Sequence, residues 1–205
     1  MRISRRAAAA LVTILGMVAA VAAQQAPAGG GQRGAGGQPA PPPMRLTSTS
    51  FADGAQIPAK YTQAGAQVSP ALTWTNAPPN TQSFVLHMHD MEGARNRTTE
   101  DQLHWLIWNI PPSTTSLPEG VPQGPDLTDG SHQTSATGNG IYRGPGAPAA
   151  GPLHHYVFEI FALDTKVDIA ANAADPFDTR AKVVSAMQGH VVGKAVYMGL
   201  FHRPE

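Results

Sequence analysis

Ser83-Phe-Val-Leu-His-Met-His89 is a short apolar run that turns polar at its end, between segments rich in Pro and Asn. Its length and its bounding turn residues suit a strand better than a helix. The same reading extends outward to Leu72-Thr-Trp-Thr75, His104-Trp-Leu-Ile-Trp-Asn-Ile110, Tyr156-Val-Phe-Glu-Ile-Phe-Ala-Leu163 and Ala195-Val-Tyr-Met-Gly-Leu-Phe201. The chain holds 21 Gly and 19 Pro in 205 residues, and such turn-rich punctuation predicts a mainly β protein, an antiparallel sandwich with one or two short helices. One helix is expected near residue 180, capped by Asp178 or Thr179. Ala181, Val184, Ala186 and Met187 would lie on one side of it, up to Gly189, and it would cross the end of the sandwich.

Residues 1–23 combine three early arginines, an apolar run and a small Ala22-Ala23 pair, the pattern of a secretory signal peptide cleaved after Ala22 or Ala23. The apolar stretch is short and Ala-rich for a membrane span, so no stable span is expected after cleavage. Residues 24–43 hold six Gly and five Pro and bury nothing; a disordered linker is expected over 24–44, with the folded domain at 45–205. The product would be periplasmic or secreted. Loss of Arg2, Arg5 and Arg6 leaves 11 basic against 14 acidic residues, with no basic run to neutralise a nucleic-acid backbone. The chain has no cysteine, which excludes disulfides, a thiolate nucleophile and a Cys-bound metal. No cofactor is expected.

Polar clusters interrupt these strands at their ends. In His87-Met-His-Asp-Met-Glu92, strand alternation turns His87 and His89 one way and Met88 and Asp90 the other. His104 opens the next strand. Tyr142-Arg-Gly-Pro-Gly-Ala-Pro148 is a glycine-rich loop that leads into Leu153-His-His-Tyr156. Backbone N–H groups of such a loop can approach an anion closely. Imidazole N–H groups of His104 and His154 and the Tyr156 phenol would add donors, and Asp90 would fix an imidazole tautomer. His155 would face away from His154 and Tyr156. Together these groups predict a pocket for phosphate or a phosphorylated head group.

The blocks Ser69-Pro-Ala-Leu-Thr-Trp74, His89-Asp-Met-Glu92, His104-Trp-Leu-Ile-Trp-Asn-Ile-Pro-Pro112, Leu117-Pro-Glu-Gly120, Tyr142–Pro148 and His154-His-Tyr-Val-Phe158 closely resemble the phosphatidylethanolamine-binding protein family. Within it they resemble the bacterial branch often called Raf-kinase-inhibitor-like. The resemblance covers nearly all of residues 45–203. It implies a Greek-key β-sandwich with a small anion cavity and, as further roles, inhibition of a protease or other enzyme. Position by position it implies ligand-binding roles for Asp90, Glu92, His104, Gly144, Gly146, His154 and Tyr156. Met91 stands where the family has Pro, Glu92 where it has Asp, and Ala147 at a usual Pro. The rim is therefore expected to differ, and the stretch 126–139 is expected to be a variable loop beside the cavity.

Two enzyme readings compete. His87, His89, His104 and His154 with Asp90 could ligate zinc in a metal-dependent hydrolase, although no His-Glu-x-x-His spacing occurs. Serine hydrolysis lacks a Gly-x-Ser-x-Gly elbow. The acids Glu100 and Asp101 read as a solvated loop.

Overall fold

The structure, a computed structural model, describes residues 41–138 and 140–205. The expected signal peptide and the linker up to residue 40 lie outside the described residues. Two antiparallel sheets build the domain. The smaller contains β1 (Arg45–Thr47), β2 (Leu72–Thr75) and β5 (Ser116–Leu117), in the order β1-β2-β5. The larger runs β6-β4-β3-β7-β8, from β3 (Ser83–Asp90), β4 (Gln102–Ile110), β6 (His132–Thr134), β7 (His154–Leu163) and β8 (Val191–Phe201). No helix among the described residues is long and apolar enough to cross a membrane.

Every residue of β3 is buried because this strand lies centrally and both of its faces are covered. On the sandwich face Phe84, Leu86 and Met88 join Trp74, Trp105, Ile107, Phe158 and Ile160 in one core. On the outer face Val85 joins Leu103, Leu106, Trp108, Leu163, Val183 and Met187 in a second. Burial of several large side chains on each face stabilises by about 1.5–3 kcal/mol apiece before entropy is counted.

The second core exists because the helix covers it. Helix α1 (Pro176–Ala186) lies over the outer face of the larger sheet, contrary to its expected place at the sandwich end. Its N-cap is Asp175, whose Oδ1 accepts the Asp178 N–H at 2.9 Å, with Pro176 in the first turn. The expected caps Asp178 and Thr179 thus lie one turn inside. Val184 is 42% exposed while Val183 and Arg180 are buried, so the inner face is turned from the expected one.

The stretch 126–139 is not simply a loop. It contains β6, which pairs with β4, and Gln133 ties it into the core: its Oε1 accepts the Trp105 indole N–H at 2.9 Å, and its Nε2 donates to the Pro122 and Gly124 carbonyls. A polar strand at a sheet edge reads as loop because only one of its faces is apolar-lined.

Candidate functional site

Alternation sets Asp90 on the sandwich face at the end of β3, opposite Tyr156 of β7, while His89 faces α1. His154 and Tyr156 share that sandwich face two residues apart. The last group arrives by a different device. On β4, Met88 pairs with Trp105 but His89 pairs with Leu103, so one extra residue, His104, is inserted as a β-bulge. Leu103 then packs under α1 and Trp105 in the sandwich core, and the bulge lets His104 meet Tyr156. The rings of His104 and Tyr156 meet edge to face with centroids 5.0 Å apart. The His154 ring lies 6.5 Å from Tyr156, its plane 24° from parallel.

Hydrogen bonds assign most of the polar atoms. His154 Nδ1 donates to Asp90, at 2.9 Å to Oδ2 and 3.0 Å to Oδ1, and the Glu92 N–H donates to Asp90 Oδ1 at 3.0 Å. The tautomer-fixing carboxylate is therefore Asp90 acting on His154. His104 is held instead by backbone, its Nδ1 donating to the Arg143 carbonyl at 2.9 Å. Burial pushes the His104 imidazole down to about 4, outweighing the carbonyls that favour its charged form, so the ring is neutral near pH 7. A neutral ring that donates through Nδ1 offers Nε2 only as an acceptor. His104 thus corrects the expectation of a second imidazole donor.

The loop amides are also committed. The Gly146 and Ala147 N–H groups donate to the Tyr156 hydroxyl at 3.1 and 3.0 Å. With its lone pairs so used, that oxygen directs its proton elsewhere. Burial first and the Asp90 charge second push the phenol up to about 12, which keeps it a donor. Gly146 therefore shapes the site by fixing Tyr156 and does not present its N–H to an anion. Gly144 has a packing reason: a Cβ there would come within 2.6 Å of the Tyr61 carbonyl. Gln63 binds the same loop, its Nε2 donating to the Gly144 carbonyl at 2.8 Å.

Glu92 has a partner of its own. Its carboxylate accepts the His155 N–H at 2.7 Å and pairs with His155 Nδ1 at 2.6 Å. Burial would raise the Glu92 carboxyl, but these bonds together hold it below its ordinary value. His155 does face away from His154 and Tyr156, as alternation predicts. Asp90, Glu92 and His154 still bring ligand atoms within 4.8 Å of one another. The inner groups are nearly closed to solvent, Asp90 5% and His104 2% exposed, and Met91 at the rim is 55% exposed.

The four-histidine zinc arrangement does not form. His87 and His89 lie on the outer face, across the sheet from Asp90, His104 and His154. Their partners there are acids that the sequence alone does not mark. Glu159, directly opposite His87 on β7, has its Oε2 3.7 Å from His87 Nδ1 and 3.3 Å from His89 Nε2. Asp101 pairs with His89 Nδ1 and accepts from Arg180 at 2.5 Å, so it is not a solvated loop acid. The available signal was a lone carboxylate, Glu159, inside the apolar run Tyr156–Leu163.

The profile of the phosphatidylethanolamine-binding protein family matches residues 47–202. A UPF0098 protein of Methanothermobacter thermautotrophicus is 38% identical over 161 residues, covering 78% of this chain and 99% of the relative. Another from Pyrococcus horikoshii is 33% identical over 76% of this chain and 75% of its own length. Among solved structures, a phosphatidylethanolamine-binding protein homologue from Chlamydia trachomatis superposes with a TM-score of 0.66 at 27% identity, over 78% of this chain and 98% of the other. Escherichia coli YbcL gives 0.57 at 23% identity over 78% and 98%, a likeness of fold.

Proposed function

We propose that this chain, which belongs to the phosphatidylethanolamine-binding protein family, binds a small phosphate-type anion or phosphorylated head group at Asp90, His104, His154 and Tyr156 and does no chemistry on it. The observation that carries the reading is the convergence of three rings and one carboxylate, each with a fixed hydrogen-bond role, at the ends of three adjacent strands. Tyr156 supplies an O–H donor, shared with Asp90, and His154 an imidazole held by Asp90. Neutral His104 supplies an acceptor. A ligand that both accepts and donates satisfies this set, and a singly protonated phosphate or phosphomonoester does both. A phosphomonoester loses that proton near pH ~6, so its binding strengthens as pH falls from about 8 towards 6.

Glu92 and His155 form the rim, where Met91 adds an exposed apolar side chain. Inhibition of a protein partner would act through this rim. Export through the N-terminal leader belongs to the same reading.

Thermal unfolding tests it. Phosphate at one hundred times its Kd adds about 2.7 kcal/mol to the folded state, raising Tm by roughly 5–10 °C for a domain of this size. His104→Ala and His154→Ala are expected to abolish that rise. Equal shifts in the wild type and both variants would overturn the assignment.

A further inference from the structure

Five buried side-chain N or O atoms lack a hydrogen-bond partner among the described residues, and two of them, the Nε2 atoms of His87 and His89, lie in one cluster. A buried, unpaired polar nitrogen costs roughly 1–3 kcal/mol. His87 Nε2 has no partner among the described residues and His89 Nε2 faces only the Glu159 carboxylate, 3.3 Å away and outside hydrogen-bond geometry, so this strand face calls for a ligand. Both residues are more than nine-tenths buried, 9% and 7% exposed. Ligand atoms of His87, His89 and Glu159 all lie within 4.8 Å of one another. The His89 Nε2–Glu159 Oε2 separation of 3.3 Å equals the edge of a tetrahedron with bonds of about 2.0–2.1 Å, the range for zinc bound to nitrogen and oxygen.

The surroundings are built like those of a metal ligand set. His89 donates its Nδ1–H to Asp101, which directs Nε2 towards Glu159, where a bound ion would take the place of the Nε2 proton, and Asp101 is itself anchored by Arg180 at 2.5 Å. Carboxylates that orient a ligating imidazole in this way are the usual outer partners of bound zinc. Lys194 Nζ holds Glu159 Oε1 at 2.5 Å, leaving Oε2 towards the histidines. A cavity of about 350 Å³ between α1 and the sheet, lined by His87, Glu159, Val85, Leu106, Met187 and Val191, provides an entry path.

We infer that His87, His89 and Glu159 form a binding site for a divalent transition-metal ion, on the opposite face of the sheet from the anion site. Two imidazoles and one carboxylate suit Zn²⁺ and its first-row neighbours rather than Mg²⁺ or Ca²⁺. In this structure the two imidazoles stack, centroids 4.4 Å apart and planes within 8°. A shared ion requires His87 to turn out of the stack into the adjoining cavity, so that a nitrogen and not a ring face meets the metal. Asp101 and Glu159 are already balanced by Arg180 and Lys194, so the ion arrives without surplus negative charge to draw it and the site is a modest binder.

The test is calorimetric titration of ZnCl2 into the purified chain, free of any polyhistidine tag and stripped with chelator. One Zn²⁺ per chain is expected, with at least a tenfold loss of affinity in His89→Asn and in Glu159→Gln and full retention in Asp90→Asn. His87→Gln serves as a third variant if either of the first two fails to fold. Co²⁺ binding should give visible absorption bands that Zn²⁺ removes. No uptake by the wild type overturns the inference. So does affinity unchanged in the outer-face variants or lost in Asp90→Asn, which would put the metal among Asp90, Glu92 and His154.

Discussion

His89 and Asp90 are adjacent in sequence and similar in burial, 7% and 5% exposed, but the pleat sends them to different chemistries. On the sandwich side Asp90 joins a set whose buried imidazole, His104, is held by a backbone carbonyl and kept neutral. On the helix side, burial would likewise pull His89 down, but Asp101 and Glu159 outweigh it and raise the imidazole to about 9. The difference lies in what the neighbours bring. A carbonyl dipole does not offset the cost of burying a charge, whereas two carboxylates do. One face is thereby suited to hydrogen-bonding a ligand, the other to holding cations.

The largest expected effect comes from breaking the ionic face. Asp101→Ala leaves Arg180, 9% exposed, and His89 without their shared carboxylate. Loss of one partner from a buried pair costs about 3–5 kcal/mol, and the 26% exposure of the Asp101 side chain puts the expected loss nearer 2–3 kcal/mol. Urea denaturation measures it. A change below about 0.5 kcal/mol, the range of ordinary surface substitutions, would mean the two faces do not differ as described.

Stability against pH separates the faces by sign. His89 is raised from 6.5 to about 9, so its contribution is complete below pH 6.5 and is lost as pH climbs through 9. His104 is lowered from 6.5 to about 4, so the folded state resists its protonation, and stability falls as pH drops from 6.5 towards 4. Asp101, lowered to about 2, adds a further loss as pH falls from its ordinary value towards 2. In chelator-treated protein a maximum near pH 6.5 is expected, with slopes of up to about 1.4 kcal/mol per pH unit on either side. His89→Gln should flatten the alkaline limb, and His104→Gln should make the limb from 6.5 to 4 shallower, where His87, also lowered by burial, keeps its own share. If His104→Gln flattens the alkaline limb, the faces are coupled.

The smallest effect sharpens the boundary between them. Asp175→Ala removes the α1 cap and costs about 1 kcal/mol. Hydrogen exchange should quicken in α1 while the amides of Gly146 and Ala147, bound to Tyr156, keep their protection; faster exchange in both would join the regions.

The two faces were unequally legible in the sequence. Four of the five strands of the larger sheet read as apolar runs, and the opposed directions of His89 and Asp90 follow from alternation of β3; all of these appear in the structure, whereas β6 read as loop. The setting of His104 does not follow. Gln102-Leu-His-Trp105 contains no Gly or Pro to mark a bulge, which arises because Leu103 must reach the α1 layer and Trp105 the sandwich core. Resemblance placed His104 in the site, but its acceptor role depends on a tautomer that only the Arg143 carbonyl decides. Gly144 and Gly146 read as anion-facing amides, since a glycine needed for packing against Tyr61 looks the same in sequence. Glu159 and Asp101 do not stand out in the sequence because an acid on a strand or loop reads as solvent-facing until the helix that covers it is placed. The Asp175-Pro176 pair announced that helix, with a cap followed by a proline in the first turn.

The most direct test of one sheet carrying two separate sites is a crystal structure of the chain soaked with phosphate and ZnCl2, with anomalous data at the zinc edge. The expected result is tetrahedral density in contact with His104, His154 and Tyr156, and one anomalous peak among His87, His89 and Glu159 across the sheet. Phosphate lodged away from those three rings, or zinc seated beside Asp90, would contradict it.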